Sequence, residues 1–329
     1  MTVNKYRTTG RLTLRQPPSR ETAKASALAL ELGTARAEDV IRILWSDPMS
    51  ALNVLKRANE SYYGLREKIG SISHAVEILG VEACLRLLSE STESGAESPV
   101  IDAVVRHATA TASISHRLAT GSWLWNDHSP SRPDLVSTAG LLHSIGRIAL
   151  CASFPSETES LYGYSELSFP VEGDRRELEQ LQFGIDYAEV GEFIGRKMHL
   201  PTELIESARG HVQPTMYPAE STSRRISLIV GTAGFLADQS GYGMEPQVSF
   251  TYTGENSILS AFQSEVALQP STLNDVLEEL DQMKLNSPTQ TSTNIGRSED
   301  RGARPRQIKP GTGSVQKSTQ QPDARAGAR

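Results

Sequence analysis

The sequence predicts an all-α protein. Apolar residues recur every three or four positions in one segment after another, which is the spacing of a helix with one buried face. Alternating apolar and polar residues, which are typical of strands, are scarce, and Val248–Tyr252 is the best strand-like stretch. The chain has 329 residues, enough for one large domain or two smaller ones. We therefore expect helices packed on helices.

The first half of the chain predicts short helices up to a polar linker at residues 89–99. A helix over Asp39–Ser46 places its apolar residues on one side. Asp47 and Pro48 then supply an N-cap and a proline at the first position of a second helix, so the two form a helical hairpin. The remaining helices of this half are Ser73–Leu79, which ends at Gly80, and Val81–Leu88.

The second half predicts longer helices. Val100–Ala119 has apolar residues at helical spacing, and a loop over residues 123–134 separates it from a helix over Leu135–Leu150. Asp186, with Glu189 three residues later, resembles a capping box and begins a further helix. The helices after residue 170 are Arg175–Phe183, Tyr187–Met198, Thr202–Gly210, Arg224–Gln239 and Leu273–Met283.

Charge is unevenly distributed along the chain. The net charge is -6, yet Lys284–Arg329 holds nine Lys or Arg against three acidic residues, so the rest of the chain carries about -12. From Leu285 onward there is no aromatic residue and there are few large aliphatic ones, too few to offset the entropy of ordering. We therefore expect a disordered basic tail over residues 285–329. Such a tail leaves a contact with nucleic acid open, although it lacks aromatics for base stacking.

The two cysteines, Cys84 and Cys151, lie within apolar helical patterns and not at metal-binding or redox spacings. We expect reduced, buried thiols. The first twenty residues lack the apolar core of a signal peptide, and no stretch approaches the roughly 18 apolar residues of a membrane span. These features predict a cytoplasmic protein that has no contact with a membrane.

Two pairs of motifs carry the most specific signal. The first pair is DPMSALNVLKRANESYYG followed by ISHAVEILG, and the second is AGLLHSIGRIAL followed by FGIDYAEVGEFIGRKMHLP. In this order they resemble the HDOD family, an HD-like helical domain with an N-terminal helical extension, found in bacterial signalling and regulatory proteins. The resemblance covers roughly residues 25–240. It implies an all-α, two-lobed domain with a regulatory role.

The resemblance and the helix pattern together predict four regions. Residues 1–20 form an N-terminal extension that is expected to be flexible, and residues 285–329 form the disordered tail. Between them lie the HDOD-like domain over 21–245, with an N-terminal helical lobe at about 21–90 and an HD-like lobe at about 98–245, and a C-terminal helical extension over 246–284.

The resemblance also implies where a metal site would lie. Catalytic HD hydrolases hold their metal with a histidine on an early helix, an adjacent His-Asp pair and an aspartate on a later helix. By position, His107 matches the first histidine and His143 the histidine of the pair. Ser144 stands in the place of the pair's aspartate, and Gly234 in the place of the last aspartate. Two histidines are therefore retained, and both carboxylates are missing.

These losses change the expected chemistry. Mg²⁺ and Mn²⁺ prefer oxygen ligands, and two neutral imidazoles neither balance the charge of such an ion nor fix its geometry. Zn²⁺ is an alternative, with His107, His143 and His211 as ligands and one open position. Asp238 lies one helical turn beyond Gly234, so it would need a shifted approach to serve as a substitute carboxylate. We therefore expect no bound metal and no cofactor.

Other catalytic arrangements are weakly indicated. The family often has histidines at the positions of Tyr187 and Val212, whereas this chain has only His211 there. Ser144 follows His143 directly, but consecutive residues of a helix point about 100° apart and do not face each other. There is also no Gly-x-Ser-x-Gly elbow in the sequence. The sequence therefore predicts no catalytic residue.

The function predicted from these features is that of a non-catalytic signalling or regulatory protein. It would act as a protein-interaction or ligand-sensing module, with other signalling proteins as partners. Two alternatives stay open. One is a metal-dependent phosphohydrolase with an altered, histidine-rich site, and the other is association with nucleic acid through the basic tail.

Overall fold

A computed structural model describes residues 8–12, 19–61, 67–89, 98–120, 131–162, 172–243 and 278. The chain divides into two units, Met1–Leu285 and Asn286–Arg329, and all of these residues lie in the first. They contain α-helices, a 3₁₀ turn and a π-helical turn, and they include no strand. The all-α prediction is confirmed. Three predictions lie outside the described residues: the strand at Val248–Tyr252, the tail over 285–329, and the helical extension over 246–284, except for the helical Glu278.

We number the helices in chain order. In the first half they are α1 (Arg20–Leu32), α2 (Ala37–Trp45), α3 (Pro48–Ser61), α4 (Ile72–Leu79) and α5 (Val81–Ser89). In the second half they are α6 (Pro99–Thr120), α7 (Ser131–Leu142), α8 (Ile145–Ser153), α9 (Pro155–Tyr162), α10 (Glu172–Phe183), α11 (Tyr187–Lys197), α12 (Thr202–Gly210) and α13 (Thr222–Ala237). The 3₁₀ turn is Pro214–Met216, and the π-helical turn is Asp238–Tyr242.

Capping side chains determine where the first helices begin and end. Ser19 caps α1 with its hydroxyl, and Gly33 ends α1 in the left-handed region at φ 63°. Asp47 accepts the backbone N–H groups of Met49 and Ser50 at Oδ1, at 3.1 and 3.0 Å, as its predicted role as the N-cap of α3 requires. Its other oxygen accepts the N–H of Ser19 at 2.8 Å. One carboxylate therefore joins the starts of α1 and α3.

The segment before α4 connects the two halves of the domain. Ser71 caps α4, and its hydroxyl also donates to the carboxylate of Asp134 in α7. Nζ of Lys68 donates to the carbonyl of Leu200, just before α12, at 3.2 Å. A Cβ at Gly70 would lie 2.6 Å from a leucine methyl of α7. The backbone therefore packs closely on α7, and a side chain at this position would displace the end of the Leu135 side chain.

The second half is a helical bundle with α8 at its centre. Helix α6 packs against α7 and α13, α8 packs against α11, and α12 contacts both α11 and α13. Every residue from Ile145 to Cys151 is buried, including the charged Arg147. The bundle therefore brings α6, α8, α11, α12 and α13 around one interior.

The predicted unbroken helix over Leu135–Leu150 is wrong. Helix α7 ends at Leu142, and α8 begins at Ile145. The ring Nδ1 of His143 donates to the carbonyl of Gly140 at 2.6 Å. In a continuous helix that carbonyl would accept the N–H of the residue four positions later, so the imidazole competes with the helical hydrogen bond. The result is a two-residue turn at the centre of the bundle.

The predicted loop over residues 123–134 is also too long at its end, because α7 already begins at Ser131. Pro133 is compatible with this start. The N–H groups of a first helical turn have no partner within the helix, so a proline there removes no hydrogen bond. Residues 123–130 of the predicted loop are not described.

Among the described residues one stretch, Pro133–Ser153, is long and apolar enough to cross a membrane by length and composition. The expectation that no stretch would qualify is wrong. In the structure 89% of its most apolar window is buried inside the protein. The stretch consists of most of α7, the turn at His143 and α8. Helices in a core are apolar on all sides, so this burial accounts for the composition.

Part of the predicted N-terminal extension is packed on the bundle. Thr8 is buried, and its hydroxyl donates to the carbonyl of Phe183 at 2.7 Å. The guanidinium of Arg11 lies 4.9 Å from the ring centre of Phe154, and Leu12 is buried. Residues 8–12 therefore contact the bundle near the ends of α8 and α10.

Both cysteines are free and buried, as predicted. Burial raises the pKa of the Cys84 thiol to about 11 and that of the Cys151 thiol to about 12. Both side chains are therefore protonated at neutral pH and pack as small apolar groups.

Replacing Gly146 by alanine is expected to lower the free energy of unfolding by at least about 2 kcal/mol. Its Cβ would lie 1.9 Å from the carbonyl oxygen of Tyr187 and 2.6 Å from the N atom of Gly191, so α8 and α11 would have to separate. Gly191→Ala is the matched control, because the nearest atom to its Cβ would be the Ala208 methyl group at 3.4 Å, an ordinary van der Waals contact. Denaturant unfolding measures both variants. Equal stability of the two would contradict the close packing of α8 on α11.

Candidate functional site

Three histidines from separate parts of the chain meet inside the bundle. His107 lies on α6, His143 in the turn between α7 and α8, and His211 at the C-cap of α12. The ring centres of His107 and His143 are 5.2 Å apart, and those of His143 and His211 are 5.0 Å apart, each pair in an edge-on arrangement. All three side chains are buried. We call these rings the histidine stack.

The hydrogen bonds of His143 determine its tautomer. Nδ1 faces the carbonyl of Gly140, which can only accept, so Nδ1 carries the proton. Nε2 then has a free lone pair, and it accepts the hydroxyl proton of Ser144 at 2.7 Å. The expectation that these two neighbours do not face each other is wrong, because they lie in a turn and not in a helix. Ser144 is fully buried, so a substrate has no access to its hydroxyl.

His211 has the same arrangement with different partners. Its Nδ1 donates to the carbonyls of Ser207 and Ala208, at 3.2 and 3.1 Å, so this nitrogen also carries the proton. Nε2 accepts the phenolic proton of Tyr187 at 2.8 Å. In both His143 and His211, a hydroxyl therefore occupies the lone pair with which an imidazole would bind a metal.

Gly234 and Asp238 lie next to His107, the outer member of the stack. A Cβ at Gly234 would lie 3.7 Å from Nε2 of His107, so a carboxylate at this position would be within its reach. Asp238 approaches from the other side, with Oδ1 at 3.3 Å from Nδ1 of His107. Asp238 continues the helical backbone of α13 at φ -60° and ψ -49°, and from there its side chain reaches His107. The contact is electrostatic, because it lacks hydrogen-bond geometry.

The structure thus brings together the six predicted positions: His107, His143, Ser144, His211, Gly234 and Asp238. Their chemistry does not fit the metal site of an HD hydrolase. Neither Ser144 nor Gly234 supplies a carboxylate, and two of the three imidazole lone pairs accept hydroxyl protons. In the part of the chain that the structure describes, no group of three or more His, Cys, Asp or Glu side chains is placed to hold a metal.

Burial keeps His143 neutral. Desolvation lowers its pKa well below the usual value, and the neighbouring His211 and His107 lower it further because a second positive charge nearby is unfavourable. A neutral imidazole is what the hydrogen bond from Ser144 requires. Protonating Nε2 would turn its acceptor into a donor and would place a charge in the core.

A buried ion pair that sequence reasoning missed holds Tyr187 in position. Arg147 lies 3.7 Å over the ring of Tyr187, and its Nε is 3.5 Å from Oε1 of Glu179. Glu179 also accepts the N–H of Tyr187 at 2.7 Å and the hydroxyl of Tyr162 at 2.6 Å. Burial raises the pKa of Tyr162 well above its usual value, and the negative charge of Glu179 raises it further. An arginine within the apolar IGRIAL run was the available signal, since a buried charge needs a partner.

Comparison with known proteins adds the family and the fold. The family model of the HDOD domain matches residues 17–214 of this chain. The structure of the MmoQ response regulator from Methylococcus capsulatus is similar, with a TM-score of 0.62, 19% identity, and coverage of 79% of this chain and 97% of that chain. A virulence factor from Campylobacter jejuni has a TM-score of 0.57, 16% identity, and coverage of 86% and 97%. Among curated proteins no sequence matches the chain. At these identities the two structures establish a shared fold.

Replacing Ser144 by alanine should lower the free energy of unfolding by about 1–3 kcal/mol, because Nε2 of His143 would remain buried without a donor. Ser50→Ala is the control. Ser50 is fully buried too, but its hydroxyl has no hydrogen-bond partner in the structure, so its removal should leave stability unchanged or raise it. Urea unfolding of the two variants provides the measurement. A Ser144→Ala chain as stable as the control would refute the hydrogen bond to His143.

The free energy of unfolding should fall below about pH 6.5. The folded chain keeps His143 neutral, whereas the unfolded chain protonates it near that pH. The unfolded state then binds more protons, so stability is present above pH 6.5 and declines as the pH falls, by about 1.4 kcal/mol per pH unit for one group. His143→Gln should reduce this slope, and His74→Gln, at an exposed histidine, should not. Equal slopes in both variants would rule out His143 as the source.

Proposed function

The chain belongs to the HDOD domain family, and we propose that it is a non-catalytic regulatory member. It would act by binding other signalling proteins through its surface and not by hydrolysing a phosphate ester. The shared fold with a response regulator supports a role in signalling. The hydrogen bonds of His143 and His211 support the absence of catalysis, because they use the lone pairs that a catalytic metal would need.

The central observation is that hydroxyl groups donate hydrogen bonds to the imidazole lone pairs that a metal would need. For an ion to bind Nε2 of His143 and of His211, the hydrogen bonds from Ser144 and Tyr187 would both have to break. Breaking either hydrogen bond would leave a buried polar group unsatisfied, at a cost of about 1–3 kcal/mol. The ion would also bring two positive charges beside Arg147 without a new carboxylate to compensate them. The geometry therefore favours the hydrogen-bonded core over a metal centre.

Metal content and turnover test this proposal on the full chain. Purified protein should contain no stoichiometric divalent metal, and it should not hydrolyse nucleotides or phosphodiesters in the presence of Mg²⁺, Mn²⁺ or Zn²⁺. Ser144→Asp combined with Gly234→Asp restores both carboxylate positions, and calorimetric titration should show that this variant binds Mn²⁺ more tightly than the parent chain. Metal-dependent hydrolysis by the parent chain that His143→Ala abolishes would overturn the proposal.

The histidine stack favours one competing function, a phosphohydrolase with an altered zinc site. The ring centre of His143 lies 5.2 Å from that of His107 and 5.0 Å from that of His211, and Asp238 lies next to His107, so the required ligand types are present. Zinc analysis separates the two functions. One zinc ion per chain, lost on His107→Ala, would support the zinc enzyme, whereas a zinc-free chain supports the regulatory module.

A further inference from the structure

The outer face of α1 carries two exposed large apolar side chains. Leu28 and Leu32 are 57% and 63% exposed. They are four residues apart, so they lie on the same side of the helix. A groove of about 540 Å³ runs along this side to the end of α5, and it is lined by Lys24, Ala27, Leu28, Leu30, Glu31 and Ser89.

From this face we propose that the protein forms a homodimer in which α1 packs antiparallel against α1 of a second copy. The positions of Lys24 and Glu31 favour a second copy of the chain as the partner. A two-fold axis between Ala27 and Leu28 places Lys24 and Glu31 about one helical turn on either side of it. In an antiparallel pair Lys24 then faces Glu31 of the second copy, and the same pair forms again on the other side, because a two-fold interface is reciprocal.

The apolar side chains add to the same contact. The two-fold axis passes half a residue from Leu28, so Leu28 of one copy lies beside Leu28 of the second copy on the same flank of the helix pair. Packed helices of this kind approach to about 8–10 Å between their axes. The two leucines therefore add apolar contact to the two charge pairs.

The charges are available for this contact. Lys24 and Glu31 are both exposed, and seven residues separate them by about 10 Å along the helix. They are too far apart to pair with each other within one copy. Contact between two helices alone is small compared with the interfaces of permanent dimers, so we expect a weak dimer, with a dissociation constant in the micromolar range.

Sedimentation velocity of the full chain over a wide concentration range measures this association. Leu28→Glu should raise the dissociation constant of the dimer at least tenfold. Leu181→Glu is the matched control, because it makes the same change at a leucine on α10 that is 75% exposed, and it should have no effect. Circular dichroism establishes that each variant is folded. A monomer at all concentrations, or a Leu28→Glu chain that dimerises like the parent, would overturn the proposal.

Charge reversal tests the register itself. Lys24→Glu and Glu31→Lys each create two repulsive pairs and should raise the dissociation constant severalfold at low salt, where exposed charges are least screened. The double variant should return to the parent value. An equimolar mixture of the two single variants should associate more tightly than either alone, because both of its pairs are attractive. A double variant as weak as the single ones would contradict the antiparallel pairing.

Discussion

Two hydroxyl-to-imidazole hydrogen bonds, from Ser144 to His143 and from Tyr187 to His211, are the constraint on which the bundle depends. They lie where five helices meet, and they satisfy polar groups that water cannot reach. Buried imidazoles without partners would destabilise a core of this kind. Arg147 and Glu179 extend the same network by fixing Tyr187. The rings of His143 and His211 are therefore hydrogen-bonded within the interior, whereas Nδ1 of His107 has only the electrostatic contact with Asp238.

The fold of an HD-like domain does not by itself determine the chemistry of its interior. In the proposed function, His107 and His143 lie where a catalytic relative would hold a metal, and Ser144 and Gly234 stand in place of the carboxylates that would balance the ion. Hydroxyl groups supply the directional bonds that the ion would otherwise provide, and they need no compensating charge. A domain with such a core can retain its architecture while its activity resides on its surface, as proposed for α1.

Local patterns predicted much of this structure. Helical spacing gave the all-α class, and Asp47 with Pro48 gave the start of α3. The break at His143 was not predictable from spacing, because it depends on a side chain that competes for the carbonyl of Gly140. The sequence positions of the site residues were sufficient to expect their proximity. The hydrogen-bond partners of the imidazole lone pairs could not be predicted. The contact between Tyr187 and His211 joins two different helices, so it depends on how those helices pack.

The tautomers of the histidines test the central claim most directly. Two-bond ¹H–¹⁵N correlation spectra of the labelled chain at about pH 7.5 report which ring nitrogen carries the proton. The account predicts protonated Nδ1 and unprotonated Nε2 in both His143 and His211, with ¹⁵N shifts that do not change when Zn²⁺ is added. A proton on Nε2 of either ring, or a zinc-induced shift of both Nε2 signals, would contradict it.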